Sequence, residues 1–234
     1  MKKIVVILAA GLGKRVGEDL PKQWILIHGK PIIEYTIAVF HANPQIDEIS
    51  VVLSPDFAGK LGDYIDLEQY PKIKAQIEGG KERYESTLAA LNYYKDVSEA
   101  HILFHDAARP LITTEVVSRV LSALQDYKAV LTAIPSADTI VEVDSNKEVA
   151  HYPNRSEVYR AQTPQGFHLS VIREAFRLAL LDSQKKVTDD CSLVHYYLPQ
   201  IPIKVVEGAS ENFKITYPED IVFFEDYITK QGNQ

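Results

Sequence analysis

The stretch that decides the fold is IVVILAAGLGKRVGEDLPKQ, residues 4–23. Ile4 to Ala9 is a continuous apolar run rich in β-branched residues, which is typical of a strand buried on both faces of a sheet. Glycines and cations follow this run at once, so a buried strand opens directly into a polar loop. This order predicts an α/β protein with a ligand site at the end of its first strand.

The loop after this strand has the features of a phosphate site. Gly11 and Gly13 allow a sharp turn and a close approach of the backbone to a ligand, while Arg15 and Lys22 supply positive charge. The loop is not a P-loop, because Arg15 stands where that motif needs Ser or Thr. It is not a dinucleotide fingerprint either, because Val16 takes the place of the third glycine. Glycines alone would fit an ordinary turn with solvated lysines; the added cations favour phosphate.

The composition of the chain limits the kinds of function that the protein can have. The chain has 234 residues, is 46% hydrophobic and carries a net charge of −7. That charge disfavours a nucleic-acid polymer as partner and fits a small anionic ligand in a local cationic pocket. The single cysteine, Cys191, excludes an internal disulfide. No apolar run reaches ~18 residues, and the N-terminus lacks a signal-type cleavage region, so we expect no membrane segment and a cytoplasmic protein.

Strand and helix patterns alternate along most of the chain. Further strands are expected at 48–53, 73–77, 101–105, 129–134 and 203–206, and helices at 31–40, 57–67, 84–94, 114–124, 169–181, 188–197 and 218–228. This alternation predicts one domain, 1–234, with a doubly wound, mostly parallel, Rossmann-like sheet. The charged loops 11–22, 78–83 and 105–110 each follow a strand, so we expect them to share one edge of that sheet.

The alternation breaks between residues 136 and 160. Residues 139–143 and 148–152 read as two strands around a turn, which predicts a projecting β-hairpin. An isolated hairpin is barely stable in water. We therefore expect this segment, called the arm below, to pack on a second subunit; the alternative is that it folds back on its own domain.

Asp106 is the carboxylate best placed for chemistry. It ends an expected strand and is followed by Arg109. A carboxylate there suits Mg²⁺, which prefers carboxylate, water and phosphate oxygens, whereas the alternative is a structural Asp–Arg pair. Gly80 and Ser86 can read the edge of a base through backbone groups and a hydroxyl. Together these residues predict magnesium-dependent nucleotidyl or phosphoryl transfer, in which positioning and cations matter more than a nucleophile. His105 receives no catalytic role.

The motifs together resemble the cytidylyltransferase family that makes CDP-methylerythritol and CDP-ribitol. The resemblance runs nearly end to end. It is carried by LAAGLGKR…PKQ (8–23), GGKERYES (79–86), HDAARP (105–110), DTI (138–140), an arginine followed by QTPQ (155, 162–165), TDD (188–190) and ENFKIT (211–216). It implies a fold of the nucleotide-diphospho-sugar transferase type. It also implies that CTP and a polyol phosphate react to give a CDP-polyol and pyrophosphate.

The resemblance also implies a role for each matching residue. Arg15 and Lys22 would stabilise the pentacoordinate phosphorus and the leaving pyrophosphate, and Lys214 would contact the α-phosphate. The nucleotide would be lined by Ala10, Gly11, Gly13, Gly80 and Ser86. The acceptor would be bound by Asp106, Arg109, Thr139, Arg155, Thr163 and Thr188, with Asp106 also near Mg²⁺. In relatives the arm reaches the other subunit's active site, which implies a homodimer.

Different motifs of the chain favour different acceptors. HDAARP and TDD-x-SLV look like the methylerythritol-phosphate enzymes, since ribitol-phosphate enzymes usually carry Val where Ala108 stands. Val141 follows DTI where isoprenoid enzymes usually have a basic residue, and Tyr159 stands where they favour tryptophan. These two positions and the run 153–155 favour an alditol phosphate such as ribitol 5-phosphate, a precursor of capsule or wall polymers. 2-C-methyl-D-erythritol 4-phosphate is the alternative, and a non-catalytic nucleotide-binding regulator is a third reading.

Overall fold

The computed structural model describes residues 1–11, 20–184 and 187–232. The strands are β1 (Lys2–Ala9), β2 (Leu26–Ile27), β3 (Lys30–Pro31), β4 (Glu48–Leu53), β5 (Ile73–Glu78), β6 (Ala100–Asp106), β7 (Ala129–Pro135), β8 (Glu142–Val143), β9 (Val149–His151), β10 (Tyr159–His168) and β11 (Ile203–Glu207). The helices are α1 (Ile32–Ala42), α2 (Arg83–Tyr93), α3 (Thr114–Ala123), α4 (Leu169–Ala179), α5 (Asp190–Tyr197) and α6 (Pro218–Gly232). Short 3-10 turns lie at Lys22–Trp24, Pro55–Phe57, Leu61–Asp63, Leu67–Gln69 and Arg155–Glu157.

A seven-stranded sheet of order β11-β7-β10-β6-β1-β4-β5 forms the centre of the described part of the chain. Strand β10 runs antiparallel to both of its neighbours, and the other neighbouring strands pair in parallel. Strand β1 lies between β6 and β4, which pair with its two edges. Helices cover its two faces. The predicted doubly wound, mostly parallel fold is confirmed.

Alternate residues of β1 enter two separate cores. Val5 and Ile7 pack in the cluster that contains the apolar faces of α1 and α3. Ile4 and Val6 pack in the cluster that contains those of α2, α4 and α5. All four side chains are fully buried, as expected when successive strand residues point to opposite faces of a sheet covered on both sides. The apolar run 4–9 therefore organises the layers of the fold.

The predicted helix over 57–67 is wrong. The structure has three separate 3-10 turns in this region, at Pro55–Phe57, Leu61–Asp63 and Leu67–Gln69. Gly59 adopts φ +75°, a left-handed conformation that a continuous right-handed helix does not contain. The apolar spacing is explained instead by Phe57, Leu61 and Leu67, which pack against one core from successive turns.

Aspartate side chains cap the starts of α5 and α6. The Asp189 Oδ1 accepts a hydrogen bond of 2.8 Å from the backbone N–H of Ser192, and α5 begins at Asp190, two residues later than the expected start at 188. The carboxylate of Asp220 accepts the backbone N–H groups of Thr216 and Tyr217 at the start of α6, which begins at residue 218 as expected.

The arm is a short hairpin that stands away from the sheet. Its strands, β8 and β9, pair with each other and are shorter than predicted, because residues 139–141 join neither of them. Its exposed apolar side chains are Ile140, Val141, Val143, Val149 and Tyr152. Nothing in the described chain covers them.

None of the described helices is long and apolar enough to cross a membrane.

Candidate active site

The carboxyl ends of β1, β5 and β6 meet at one rim of the sheet, where they enclose what we call the first pocket. Its lining includes Ala10, Gly11, Lys22, Gly80, Ser86, Asp106 and Lys214. The loops that were predicted to share an edge therefore do so in their described parts. Gly13 and Arg15, which were also assigned to this site, lie outside the described residues.

Gln23 holds the backbone where β1 opens into the loop. Its buried side-chain amide donates to the carbonyl oxygens of Ala9 and Gly11, at 2.7 and 3.1 Å. The neighbouring Lys22 donates from Nζ to the carbonyl oxygen of Ile215. The Lys22–Trp24 turn thus fixes the start of the loop and directs Lys22 into the first pocket.

Ile215 brings Lys214 to the same rim. Its side chain is fully buried in a cluster with Ala108 and Phe224, and its backbone N–H donates to the Ala108 carbonyl oxygen at 2.8 Å. This bond ties the segment before α6 to the loop after β6. Lys22 and Lys214, which are far apart in sequence, therefore both line the first pocket.

Gly79 lies behind the part of the first pocket that Ala10 and Ser86 line. A Cβ at this position would lie 2.8 Å from Ala10 Cβ, Ser86 Oγ and Val52 Cγ1, closer than real Cβ contacts allow. Glycine at 79 thus lets the end of β5 pack against the start of the glycine loop. Ser86 lies on α2, where its hydroxyl donates to the Glu82 carbonyl oxygen at 3.2 Å.

Asp106 is surrounded by three cations at the floor of the pocket. Its Oδ1 lies 3.2 Å from Arg83 Nε, and its Oδ2 lies 2.8 Å from Lys214 Nζ and 3.7 Å from Arg109 Nε. Burial raises the pKa of Asp106, but the charges of Lys214, Arg83 and Arg109 outweigh burial and hold the pKa well below its ordinary value. The carboxylate is therefore ionised, and the Asp–Arg pair considered from the sequence exists.

A second pocket adjoins the first and shares Arg83, Asp106 and Lys214 with it. It adds Arg109, Thr163 and Thr188, which were assigned to the acceptor, together with Ala161, Gln162, Gln165 and Asp189. The described nucleotide residues and the acceptor residues Arg109, Thr163 and Thr188 thus lie in neighbouring pockets, with Asp106 at their junction. This arrangement suits a reaction between two anionic ligands.

His105 fixes the hydroxyl of Thr163 from behind the second pocket. Thr163 Oγ1 accepts the backbone N–H of Asp106 at 3.1 Å and lies 3.1 Å from His105 Nδ1. His105 Nε2 lies 3.2 Å from the Arg109 carbonyl oxygen, which only accepts, so Nε2 carries the proton and Nδ1 accepts from Thr163. Complete burial lowers the pKa of His105 to about 3, which keeps the ring neutral.

Two of the predicted substrate residues are not brought to either pocket of this chain. Thr139 and Arg155 lie on the arm and line neither the first nor the second pocket. Arg155 Nη2 instead donates to the Ala137 carbonyl oxygen at 2.6 Å and braces the base of the arm.

Three residues that support the site were not assigned from the sequence: Gln23, Arg83 and His105. All three lie inside motifs quoted above, in PKQ, GGKERYES and HDAARP. The motifs could therefore have pointed to these three residues. Their roles could not be read from the sequence, because each side chain has a partner in a distant segment of the chain.

The described residues contain no group of three or more His, Cys, Asp or Glu side chains that could hold a metal ion. Asp106 is a single carboxylate, and each of its oxygens already faces a cation. A magnesium ion bound here would need to take most of its ligands from phosphates and water.

Comparison with known proteins identifies the family of this chain. The family model "IspD: 2-C-methyl-D-erythritol 4-phosphate cytidylyltransferase" matches residues 3–230. The chain is 38% identical to the 2-C-methyl-D-erythritol 4-phosphate cytidylyltransferase of Thermobifida fusca, over 94% of this chain and 90% of that one. It is also 38% identical, over 94% of its length, to the bifunctional ribulose 5-phosphate reductase/CDP-ribitol pyrophosphorylase Bcs1 of Haemophilus influenzae, of which it spans about half, 47%.

Among solved structures, the 4-diphosphocytidyl-2C-methyl-D-erythritol synthase of Anaerococcus prevotii matches with a TM-score of 0.86 and 33% identity, covering 97% of this chain and 96% of that one. The match to the family model and these similarities show the family. The chain belongs to the IspD family of CTP-dependent cytidylyltransferases.

Proposed function

We propose that this protein transfers the CMP group of CTP to the phosphate of 2-C-methyl-D-erythritol 4-phosphate and releases pyrophosphate. The observation that carries the reaction class is the meeting of Lys22, Lys214 and Asp106 with the glycine-lined walls at one rim of the sheet. The observation that carries the acceptor is the family model, which spans residues 3–230.

The reaction requires that the two ligands be held in position and that positive charge offset the negative charge of their phosphates. An oxygen of the acceptor phosphate attacks the α-phosphorus of CTP, a new P–O bond forms, and the bond from the α-phosphorus to the bridging oxygen breaks, so that pyrophosphate leaves with the electron pair. A phosphate dianion needs no base to become a nucleophile. Lys22 and Lys214, and Arg15 by its place in the motif, neutralise charge on the phosphoryl oxygens as it develops.

Each pocket has a role in this proposal. CTP lies in the first pocket, with its triphosphate against Ala10 and Gly11 and its base against Gly80 and Ser86. The acceptor lies in the second pocket, near Arg109, Thr163 and Thr188. Because Asp106 lines both pockets, the two ligands meet there.

Mg²⁺ is part of the proposal, and it would neutralise triphosphate charge when bound. Asp106 is the carboxylate that would face the ion, which would replace one of the cationic side chains now beside Asp106. Most of its ligands would be phosphate and water oxygens, as Mg²⁺ prefers.

We also propose a homodimer that forms through the arm. The apolar side chains Ile140, Val143, Val149 and Tyr152 are exposed in the single chain, and a second subunit would cover them. In such a dimer Thr139 and Arg155 would serve the second pocket of the partner subunit, which agrees with their absence from the pockets of their own chain.

Ribitol 5-phosphate is the second candidate acceptor, and it is the one favoured by the sequence analysis. Specific observations support it: Val141 and Tyr159 depart from the usual isoprenoid pattern, and the Haemophilus influenzae relative is described as a CDP-ribitol pyrophosphorylase. That preference stays a prediction, since the family model and several relatives, those of Thermobifida fusca and Bifidobacterium longum among them, are described by methylerythritol phosphate.

A panel of polyol phosphates tests both candidates. Pyrophosphate release is measured with CTP, Mg²⁺ and each acceptor at equal concentration, with Lys22→Ala as the background control. We expect kcat/KM for 2-C-methyl-D-erythritol 4-phosphate to exceed that for ribitol 5-phosphate by about tenfold or more, the discrimination that one or two lost polar contacts provide. The reverse order would establish the second candidate. CTP binding without pyrophosphate release from any acceptor would favour a non-catalytic nucleotide-binding regulator.

A further inference from the structure

We propose that Arg83 is a positioning residue for the acceptor, because it joins Asp106 and Asp190 into one ionic bridge between the two walls of the second pocket. The inference rests on the proposed function, since it concerns the same two ligands. It adds a residue to which the family resemblance gave no role.

Each carboxylate is held by a different nitrogen of the guanidinium. Arg83 Nε lies 3.2 Å from Asp106 Oδ1, and Arg83 Nη1 lies 2.6 Å from Asp190 Oδ2. Asp106 ends β6, whereas Asp190 is the first residue of α5. Thr188 and Asp189, which line the second pocket, come directly before Asp190. The bridge thus sets the separation between the end of β6 and the segment that carries Thr188.

Asp190 depends on this arginine for its charge. Asp190 is only 1% exposed, and Arg83 is the cation that pairs with it within the described chain. Thr87 Oγ1 also donates to Asp190 Oδ1 at 2.9 Å. Burial raises the pKa of Asp190 even though Arg83 opposes the rise. Removal of Arg83 would therefore leave a buried carboxylate without its counter-ion, which favours protonation or a shift of the N-terminus of α5.

Arginine suits this place better than lysine. Its planar guanidinium presents several N–H groups in fixed directions, so it can hold two carboxylates from separate elements at once, while a lysine is a single point charge. Asp106 would keep Lys214 and Arg109 if Arg83 were lost. The loss should therefore act mainly through Asp190.

The two arginines beside Asp106 each carry one buried donor that can take a further acceptor. Arg83 Nη2 and Arg109 Nε are buried, and no hydrogen-bond acceptor among the described residues takes them. Arg109 Nε lies 3.7 Å from Asp106 Oδ2, beyond hydrogen-bond distance. Buried N–H groups are normally paired, so the oxygens of a phosphate ligand are suitable partners. Both arginines line the second pocket, where we place the acceptor phosphate.

The test compares Arg83→Ala and Arg83→Lys with Asp190→Asn and with the double variant Arg83→Ala/Asp190→Asn. KM for CTP and for the acceptor and kcat are measured for each. Arg177→Ala, which breaks an exposed ion pair with Glu174 on α4, is the matched control. Ethylguanidinium is added to Arg83→Ala as a rescue probe.

We expect Arg83→Ala to raise KM for the acceptor about tenfold or more and KM for CTP by less than about threefold. The double variant should be no worse than the worse single variant, as expected for two residues that act as one unit. Ethylguanidinium should restore part of the lost acceptor affinity, and Arg177→Ala should match the wild type. If Arg83→Ala does not fold, Arg83→Lys still separates the two KM values, because it keeps the charge and loses the second contact.

Equal changes in both KM values, additive effects of Arg83→Ala and Asp190→Asn, or no response to ethylguanidinium would each overturn the positioning role while leaving the proposed function intact. A wild type that transfers CMP to no polyol phosphate would overturn the proposed function, and the positioning role with it.

Discussion

Lys214 Nζ lies 2.8 Å from Oδ2 of Asp106, so a lysine near the C-terminus meets an aspartate at the end of β6. The Lys214 side chain is 42% exposed, whereas that of Asp106 is 10% exposed. Arg83 and Arg109 stay beside the carboxylate if Lys214 moves. Lys214 can therefore exchange its carboxylate partner for a phosphate oxygen without leaving Asp106 uncompensated.

Substitution of Lys22 should affect turnover more than folding. Its Nζ donates to the Ile215 carbonyl oxygen, and Lys22 lines the first pocket, where the proposed reaction uses positive charge chiefly in the transition state. We expect Lys22→Ala to lower kcat by about 10²-fold or more and to leave the unfolding midpoint nearly unchanged. Lys74→Ala, at an exposed lysine on β5, is the control for loss of a charge. An unchanged kcat would contradict the role assigned to Lys22.

His105 should make the protein less stable in acid. Its pKa is about 3 in the folded protein and 6.5 ordinarily, so between these values the unfolded chain binds a proton that the folded chain does not. Stability therefore falls as pH falls through this range, by up to about 1.4 kcal/mol per pH unit. Between pH 7 and 4.5, wild type should lose about 2 to 3 kcal/mol more than His105→Gln in denaturant titrations.

The control for that measurement is His195→Gln, because His195 is exposed on α5, away from the arm. It should keep the pH dependence of the wild type. Parallel pH profiles for wild type and His105→Gln would show that His105 is not held neutral by burial.

A methyl group at Gly79 should damage the nucleotide wall. The new Cβ would meet Ala10, Ser86 and Val52 at 2.8 Å, so the end of β5 or the start of the loop must shift. We expect Gly79→Ala to weaken CTP binding about tenfold or more in calorimetric titrations, as overpacking of a tight contact does. Gly62→Ala is the matched control, because its nearest contact is 3.3 Å to the tip of the Leu67 side chain. Equal CTP affinity for Gly79→Ala and wild type would be inconsistent with the assigned wall.

The arm should control assembly. Removal of residues 141–150, or the milder change Val143→Asp with Val149→Asp, takes away exposed apolar surface. We expect monomers on a sizing column and poor use of the acceptor, since Thr139 and Arg155 would no longer reach a partner. Tyr196→Asp removes an apolar side chain of similar exposure from α5 and should leave the dimer intact. Intact dimers after loss of 141–150 would refute the proposal.

The sequence predicted the parts of the fold that periodicity encodes. The apolar run at 4–9 and the runs at 48–53 and 129–134 are buried strands, because strands covered on both faces are mostly apolar. Strand β10 was not assigned. Its first half, from Tyr159 to Gln162, is largely polar, and its register shifts between Ala161 and Gln165, so neither alternation nor an apolar run marks it.

The site was predictable only in part. Strand-end placement sufficed to bring Ala10, Gly80 and Asp106 to one rim. The bonds that position them were not predictable, because each depends on the register between distant segments: Gln23 to Ala9, and Arg83 to Asp190. The roles proposed for Thr139 and Arg155 would depend on a second subunit, so the geometry of one chain does not display them.

The most direct test of the central claim is a crystal structure of the protein with CTP. The account predicts the triphosphate between residues 10–11 and the two lysines, Lys22 and Lys214, with cytosine against Gly80 and Ser86 and the α-phosphorus facing the second pocket. CTP bound elsewhere on the molecule, or in the first pocket with its α-phosphorus turned away from Lys22 and Asp106, would contradict it.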